Sequence, residues 1–207
     1  MGSKSILMSS VAGALVAGIA LIASSAAIAA SPSSANEQGG TYSRSDWPHW
    51  LDDDSDCQNT RAETLINYSK VVVTFRRTKG CIVDLGEWYD PYSGHTFNKA
   101  SDLDIDKIVA LEWAHRHGGA DWPTSKKAQF ANDPVNLQPV SLSLNRQKGS
   151  KGPTEWLPPN QQYRCQYVAR FAAVVRQYGL QFSTSDAQAV RQMLTTCGYG
   201  ESGFMPS

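Results

Sequence analysis

Apolar residues recur at three- and four-residue intervals in the stretch YRCQYVARFAAVVRQYGL: Tyr167, Val168, Phe171, Val174, Val175 and Tyr178 fall on one side of a helix, and Gly179 supplies its stop. A second helix follows, with Val190, Met193, Leu194 and Cys197 as its apolar face, Ser183 and Asp186 resembling a capping box, and Gly198 at its end. Upstream the period changes. VVVTF (71–75) and CIVDL (81–85) are β-branched runs separated by RRTKG, with Gly80 available for a left-handed residue, which predicts a β-hairpin. DPYSG (90–94) predicts a turn. From Leu103 to Leu111 the apolar positions Leu103, Ile105, Ile108, Val109 and Leu111 predict a strand whose Asp104 and Asp106 share one face. Residues 125–131 read as helical, NLQPVSL (136–142) as a second strand, and a turn-to-helix segment begins around Asn145, a residue type suited to capping. An acidic loop opening with WPHWLDDDSD leads into a short helix with Ala62, Leu65 and Ile66 as apolar positions. There is no internal repeat.

The N-terminus is patterned differently. Lys4 precedes the uninterrupted apolar run VAGALVAGIALIA (11–23), and Ala27-Ile28-Ala29 fits a small-residue cleavage site. Residues 1–30 therefore read as a secretory signal peptide; the alternative, an uncleaved anchor, is disfavoured by the short, small-residue-rich run. Residues 31–46 begin small and polar and read as a flexible leader, leaving 47–207 as a single domain, the size expected of a chain of 207 residues. After cleavage the protein is secreted or periplasmic, with no membrane association.

Charge does not advertise a nucleic-acid partner. Of 19 basic residues only Lys4 lies in the first thirty, which hold no acid, so the mature chain carries 18 basic against 19 acidic residues, a net charge of −1. Positive potential would have to be local, and LNRQKGSKG (144–152), with Arg146, Lys148 and Lys151, is the place for it. Four cysteines in an exported chain imply two disulfides with three possible connectivities. Cys57 with Cys81 and Cys165 with Cys197 are favoured, because each pair lies within one local block; a four-cysteine zinc site is disfavoured by the absence of any CxxC spacing.

Phosphodiester hydrolysis at one metal needs oxygen ligands on a hard cation, a base for water and donors for the developing charge. The sequence offers Asp104-x-Asp106 on a strand, Asn136 at the start of the next in FANDPVNL, and Asn145 nine residues later, followed by R-Q-K-G. With DDDSDCQNTR, GCIVDLGEWYDPYSG, DIDKIVAL, FANDPVNLQPVSLSLNRQKGSKGPTEWLPP and the helix YRCQYVARFAAVVRQYGL, the chain resembles the HNH (ββα-metal, or His-Me finger) endonucleases over nearly its whole mature length, and more closely the secreted bacterial HNH endonuclease family proteins.

That resemblance implies an α+β fold: a ββα-metal core at about 101–157 with an N-terminal β-hairpin and two C-terminal helices. It implies that Asp106 and Asn145 bind a divalent metal, most often Mg²⁺ with Mn²⁺ or Ca²⁺ as alternatives, that Asn136 helps to hold the base, and that Arg146, Lys148 and Lys151 lie near the phosphates. The implied activity is hydrolysis of DNA, or of RNA, with little sequence preference. The departure is at Lys107, where the family pattern D-[IL]-[DE]-H places its general-base histidine. A histidine titrates near 6.5 and a lysine near 10.4, so an unperturbed Lys107 is almost wholly protonated. Lys107 is then an inactivating change, or His115 serves as base instead, or Lys107 itself acts as base or as a cation on the phosphorane. Catalytic candidates are accordingly Lys107, Asp106, Asn136 and His115, and the rival to a working enzyme is a silent nucleic-acid-binding protein. An exported structural module with no nucleic-acid contact is a third reading.

Other features carry blander readings. His115 and His117 fit an exposed Gly-rich loop, and His49 and His95 have no assigned role. Asp52, Asp54, Asp56 and Glu63 match the first, third, fifth and twelfth places of a calcium loop, but Cys57 stands where the sharp turn needs glycine, so a solvated acidic loop is expected. The six tryptophans lack the spacing of a stacking platform and are expected to pack.

Overall fold

A computed structural model describes residues 40–200, so the expected signal peptide over 1–30 and the first part of the expected leader lie outside the described residues. The element order is α1 (Thr60–Tyr68), β1 (Leu85–Asp90), β2 (His95–Lys99), β3 (Leu103–Lys107), α2 (Leu111–Ala114), α3 (Thr124–Asn132), β4 (Leu137–Ser141), α4 (Leu142–Lys148), α5 (Arg164–Tyr178) and α6 (Thr184–Thr196). Among the described residues the chain thus mixes six α-helices with two small antiparallel sheets, β1–β2 and β3–β4. No helix among them is long and apolar enough to cross a membrane.

The ribbon β3–β4 stands between two apolar clusters. Leu103, Ile105 and Leu137 pack with Ala62 and Leu65 of α1 and with Trp88 of β1. The larger cluster gathers Val140 and the segment Ile108–Val109 with the apolar faces of α5 and α6. Alternation along β3 sends Asp104 and Asp106 the other way, toward α4. The register runs from Leu103 opposite Ser141 to Lys107 opposite Leu137, which sets α4 directly after the strand that pairs with the two aspartates.

The C-terminal helices match their sequence pattern. Tyr167, Val168, Phe171, Val174, Val175 and Tyr178 are buried, Gly179 adopts the left-handed cap at φ +69°, and Ser183 accepts from the Asp186 N–H at 3.1 Å. Cys165–Cys197 bridges α5 to the end of α6, and Cys57–Cys81 ties the acidic loop to residue 81; no cysteine among the described residues is free, which removes the zinc alternative.

Three local expectations are corrected. The hairpin predicted over 71–85 is reduced to one bridge, Phe75 with Val83, plus scattered backbone bonds such as Arg76 N–H to Ile82 O at 2.9 Å. Its β-branched residues are only partly covered: Val83 is buried in the smaller cluster and Val73 packs against it, but Val72 is 95% exposed and Ile82 52%. The ladder forms instead around the 90–94 turn, between β1 and β2, where Trp88 is fully buried and donates its indole N–H to Leu65 O at 2.7 Å. The strand expected through Leu111 stops at Lys107, because the Asn136 side chain takes both backbone groups of Val109. Finally, α4 starts at Leu142 after Ser141, so Asn145 is an interior helix residue and not a cap.

Candidate active site

Asp106 is 4% exposed, and both of its carboxylate oxygens are engaged. Lys148 Nζ donates to Oδ1 at 2.9 Å and the Tyr92 hydroxyl donates to Oδ2 at 2.6 Å. Lys148 is itself fully buried, and its ammonium also donates to Lys107 O at 2.8 Å. It was expected beside phosphates at the surface; it sits behind the carboxylate because α4 turns its last apolar stem inward, onto β3. Such a buried pair is held by mutual compensation, since either charge alone in this setting is costly. Proximity to Asp106 also raises the Tyr92 hydroxyl well above its ordinary value, with burial as the larger cause.

Asn145 donates its amide to Asp104 Oδ2 at 3.1 Å, and its Oδ1 has no hydrogen-bond partner among the described residues. Asp106, Lys107 and Asn145 all line one cleft of about 300 Å³, together with Tyr42, Arg44, Ala110, Leu111, Glu112, Gly149 and Ser150. A carboxylate offers about four lone-pair sites, of which Lys148 and Tyr92 use two. The remaining sites and the Asn145 carbonyl oxygen form a hard-oxygen donor set, which suits Mg²⁺ or Ca²⁺ and not a soft thiophilic metal. The residues present therefore fit a divalent cation.

Lys107 is 6% exposed, and its ammonium lies 3.9 Å from the centroid of the Trp50 ring. Trp50 holds φ at +59°, a left-handed conformation unusual for a bulky residue. Burial brings the Lys107 ammonium down from 10.5 to about 7; Arg44 repels it further, Asp106 opposes the change, and Lys148 adds a smaller repulsion. A lysine held there is substantially neutral near pH 7, which the sequence alone does not predict. Asn136, fully buried, clamps the chain just beyond this lysine: its Oδ1 accepts from Val109 N–H at 2.8 Å and its amide donates to Val109 O at 3.2 Å.

The histidines lie elsewhere. His115 Nε2 is 2.7 Å from Gly40 O, its ring meets Tyr42 edge-on at 5.6 Å, and it is not among the residues lining the cleft. His117 stacks on Trp113 at 3.6 Å with Nδ1 on Trp113 O, and burial lowers its titration below 6.5. Arg146 is exposed on α4, and Lys151 is exposed with its ammonium on Gln147 O at 2.7 Å. Asp52, Asp54 and Asp56 are clustered and exposed, as a solvated loop would be, and they cap the backbone N–H groups of Cys57, Asp56 and Gln58. Sequence reasoning missed Tyr92 and Arg44. Tyr92 carried no signal beyond its place in the predicted turn, and Arg44 lay in a segment read as leader.

No solved structure matches the chain. It is similar to a protein of Arthroderma benhamiae described as "Uncharacterized secreted protein", 38% identical over 158 residues that cover 75% of this chain and 76% of the relative. Secretion of that relative accords with the two disulfides, and the protein is an exported one. Residues 59–193 match the family model "GmrSD restriction endonucleases, C-terminal domain". The chain belongs to this family, which is of the HNH nuclease type.

Proposed function

We propose that the chain is a metal-dependent, largely non-specific endonuclease that hydrolyses phosphodiester bonds of DNA, with RNA as the alternative substrate, and that it acts after export and removal of residues 1–30. The observation that carries this reading is the convergence of Asp106 and Lys107 from β3 with Asn145 from α4 on one cleft of about 300 Å³. In this reading β3, β4 and α4 are the ββα-metal core of one domain over 47–207. Asp106 and Asn145 hold the divalent cation, Mg²⁺ by donor type, whose contribution when bound is to withdraw charge from the phosphate and stabilise the leaving 3′ oxygen.

The chain's own residues do the rest. Lys148 and Tyr92 fix the Asp106 carboxylate, while Asn136 fixes the backbone after Lys107. Neutral Lys107 takes a proton from water as its oxygen attacks phosphorus and the bond to the 3′ oxygen breaks. Arg146 and Lys151 contact flanking phosphates. His115 is a poorer base for this step, because its ring is engaged with Gly40 and Tyr42.

Nicking of supercoiled plasmid tests the reading. The wild type is expected to cut with Mg²⁺ and not with EDTA. Asp106→Asn removes cutting, and Lys107→Met lowers it by about 10²–10⁴-fold, the usual worth of a general base. Lys107→His keeps or raises it. One observation favours a second reading, a silent nucleic-acid binder: both Asp106 oxygens are already occupied by Lys148 and Tyr92. DNA binding without cutting at any Mg²⁺ or Mn²⁺ concentration would establish it.

A further inference from the structure

The family match begins at residue 59, yet the chain before it contributes to the cleft. Arg44 lines the same cavity as Asp106, Lys107 and Asn145, and its segment is pinned on both sides. On one side Trp47, fully buried, donates its backbone N–H to Arg44 O at 3.2 Å. On the other, Tyr42 packs against His115, whose Nε2 is 2.7 Å from Gly40 O. A guanidinium delivered on such an anchored turn is placed, not merely tethered.

Its electrostatic setting is unbalanced. The salt bridges among the described residues use Arg76, Arg116 and Lys148, and none uses Arg44. Glu112, the acid on the cleft wall besides Asp106, is taken by Arg116 at 2.6 Å. Asp106 is taken by Lys148 and Tyr92. Arg44 thus borders the cleft as an exposed cation in no salt bridge among the described residues, and a guanidinium so placed marks a position for an anion. The planar guanidinium fork, charged at all working pH values, matches the paired non-bridging oxygens of a phosphodiester.

We propose that Arg44 is a substrate-contacting residue, donating to the non-bridging oxygens of a nucleic-acid phosphate in the Asp106–Lys107–Asn145 cleft. This rests on the nuclease reading and extends the site beyond the residues the family model covers. It makes the segment around residues 42–47 part of the site, so the enzyme is complete only with that segment in place.

The test is binding of a fluorescein-labelled DNA duplex by fluorescence anisotropy, in EDTA so that no cutting occurs, over a salt series, with the disulfide-bonded chain. Arg44→Gln should weaken binding about tenfold and lower the slope of log affinity against log salt by about 0.9, the loss of one phosphate contact. Arg44→Lys should keep the slope. Arg44 is exposed, so both variants should melt with the wild type. A wild type that binds and cuts DNA while Arg44→Gln matches its affinity and slope overturns the inference alone. A wild type that neither binds nor cuts overturns the nuclease reading, and this inference with it.

Discussion

Replacing Lys148 with Met removes one half of the most deeply buried ion pair and keeps the volume of the side chain. In the wild type the Lys148 ammonium has no exposure, and it gives one hydrogen bond to Asp106 at 2.9 Å and one to Lys107 O at 2.8 Å. The variant leaves the Asp106 carboxylate with Tyr92 as its hydrogen-bonding partner, and it orphans the Lys107 carbonyl. Breaking a buried pair from one side costs about 3–5 kcal/mol. For a domain of this size, where about 1 kcal/mol moves the midpoint by roughly 2–4 °C, the fall should be on the order of 10 °C. Chemical denaturation with the disulfides kept oxidised, in EDTA, measures the difference. The second arm is the double variant Lys148→Met with Asp106→Leu, which removes both charges and should recover most of the loss. Divalent metal should also restore stability to Lys148→Met, because a cation on Asp106 replaces the lost ammonium, by about 2.7 kcal/mol at a hundredfold excess over its Kd. A single variant that loses less than about 1 kcal/mol, or a double variant no more stable than the single, would refute the pairing argument.

Lys107 gives a pH test in metal-free protein. Its titration is held to about 7 in the fold against 10.5 unfolded, so between these values the unfolded chain binds more protons, and stability gained from this group rises with pH. The penalty is fully present below pH 7, at most about 5 kcal/mol, and vanishes above 10.5; denaturation of wild type and Lys107→Met should converge as pH rises, and a constant gap would contradict this. His117, lowered by burial, has the same sign in a lower window: it stabilises the neutral form above pH 6.5, and that contribution is lost as pH falls, so His117→Gln should flatten the acid limb of the stability curve. Tyr92→Phe deletes the 2.6 Å bond to Asp106 and should cut Mn²⁺ affinity by about 10–100-fold in calorimetry, with an unchanged Kd refuting the role. Converting both Cys165 and Cys197 to Ala opens a loop of 32 residues and should cost about 4 kcal/mol in denaturant; a loss under about 1 kcal/mol would show that the α5–α6 packing does not need the bridge.

The legible parts of the fold were those with long periods and strong punctuation. Helices α5 and α6 repeat their apolar residues over many turns and end on glycine, and the cysteine pairs lie in local blocks, so both were read correctly. The predicted hairpin pairs only irregularly, because β-branching reports on the strand and not on what covers it: Val83 is buried but Val71 and Val72 are exposed, whereas the less β-branched LGEWYD places Trp88 in the core and forms the regular ladder. At the site, sequence brought Asp106 and Asn145 to one place but could not show that Lys148 points inward. A lysine at a helix end is ordinarily solvated, and only the packing of α4 on β3 fixes its direction. The altered titration of Lys107 was illegible for the same reason. Its cause is burial beside Trp50 and repulsion from Arg44, residues 57 and 63 positions away in the sequence.

The most direct test of the central claim is anomalous diffraction from crystals soaked in Mn²⁺. The account predicts a peak within coordination reach, about 2.0–2.6 Å, of carboxylate oxygen of Asp106 and of Asn145 Oδ1, with Lys107 beside it. A peak confined to the exposed Asp52, Asp54 and Asp56 loop, or no peak in the cleft at saturating Mn²⁺, would contradict it.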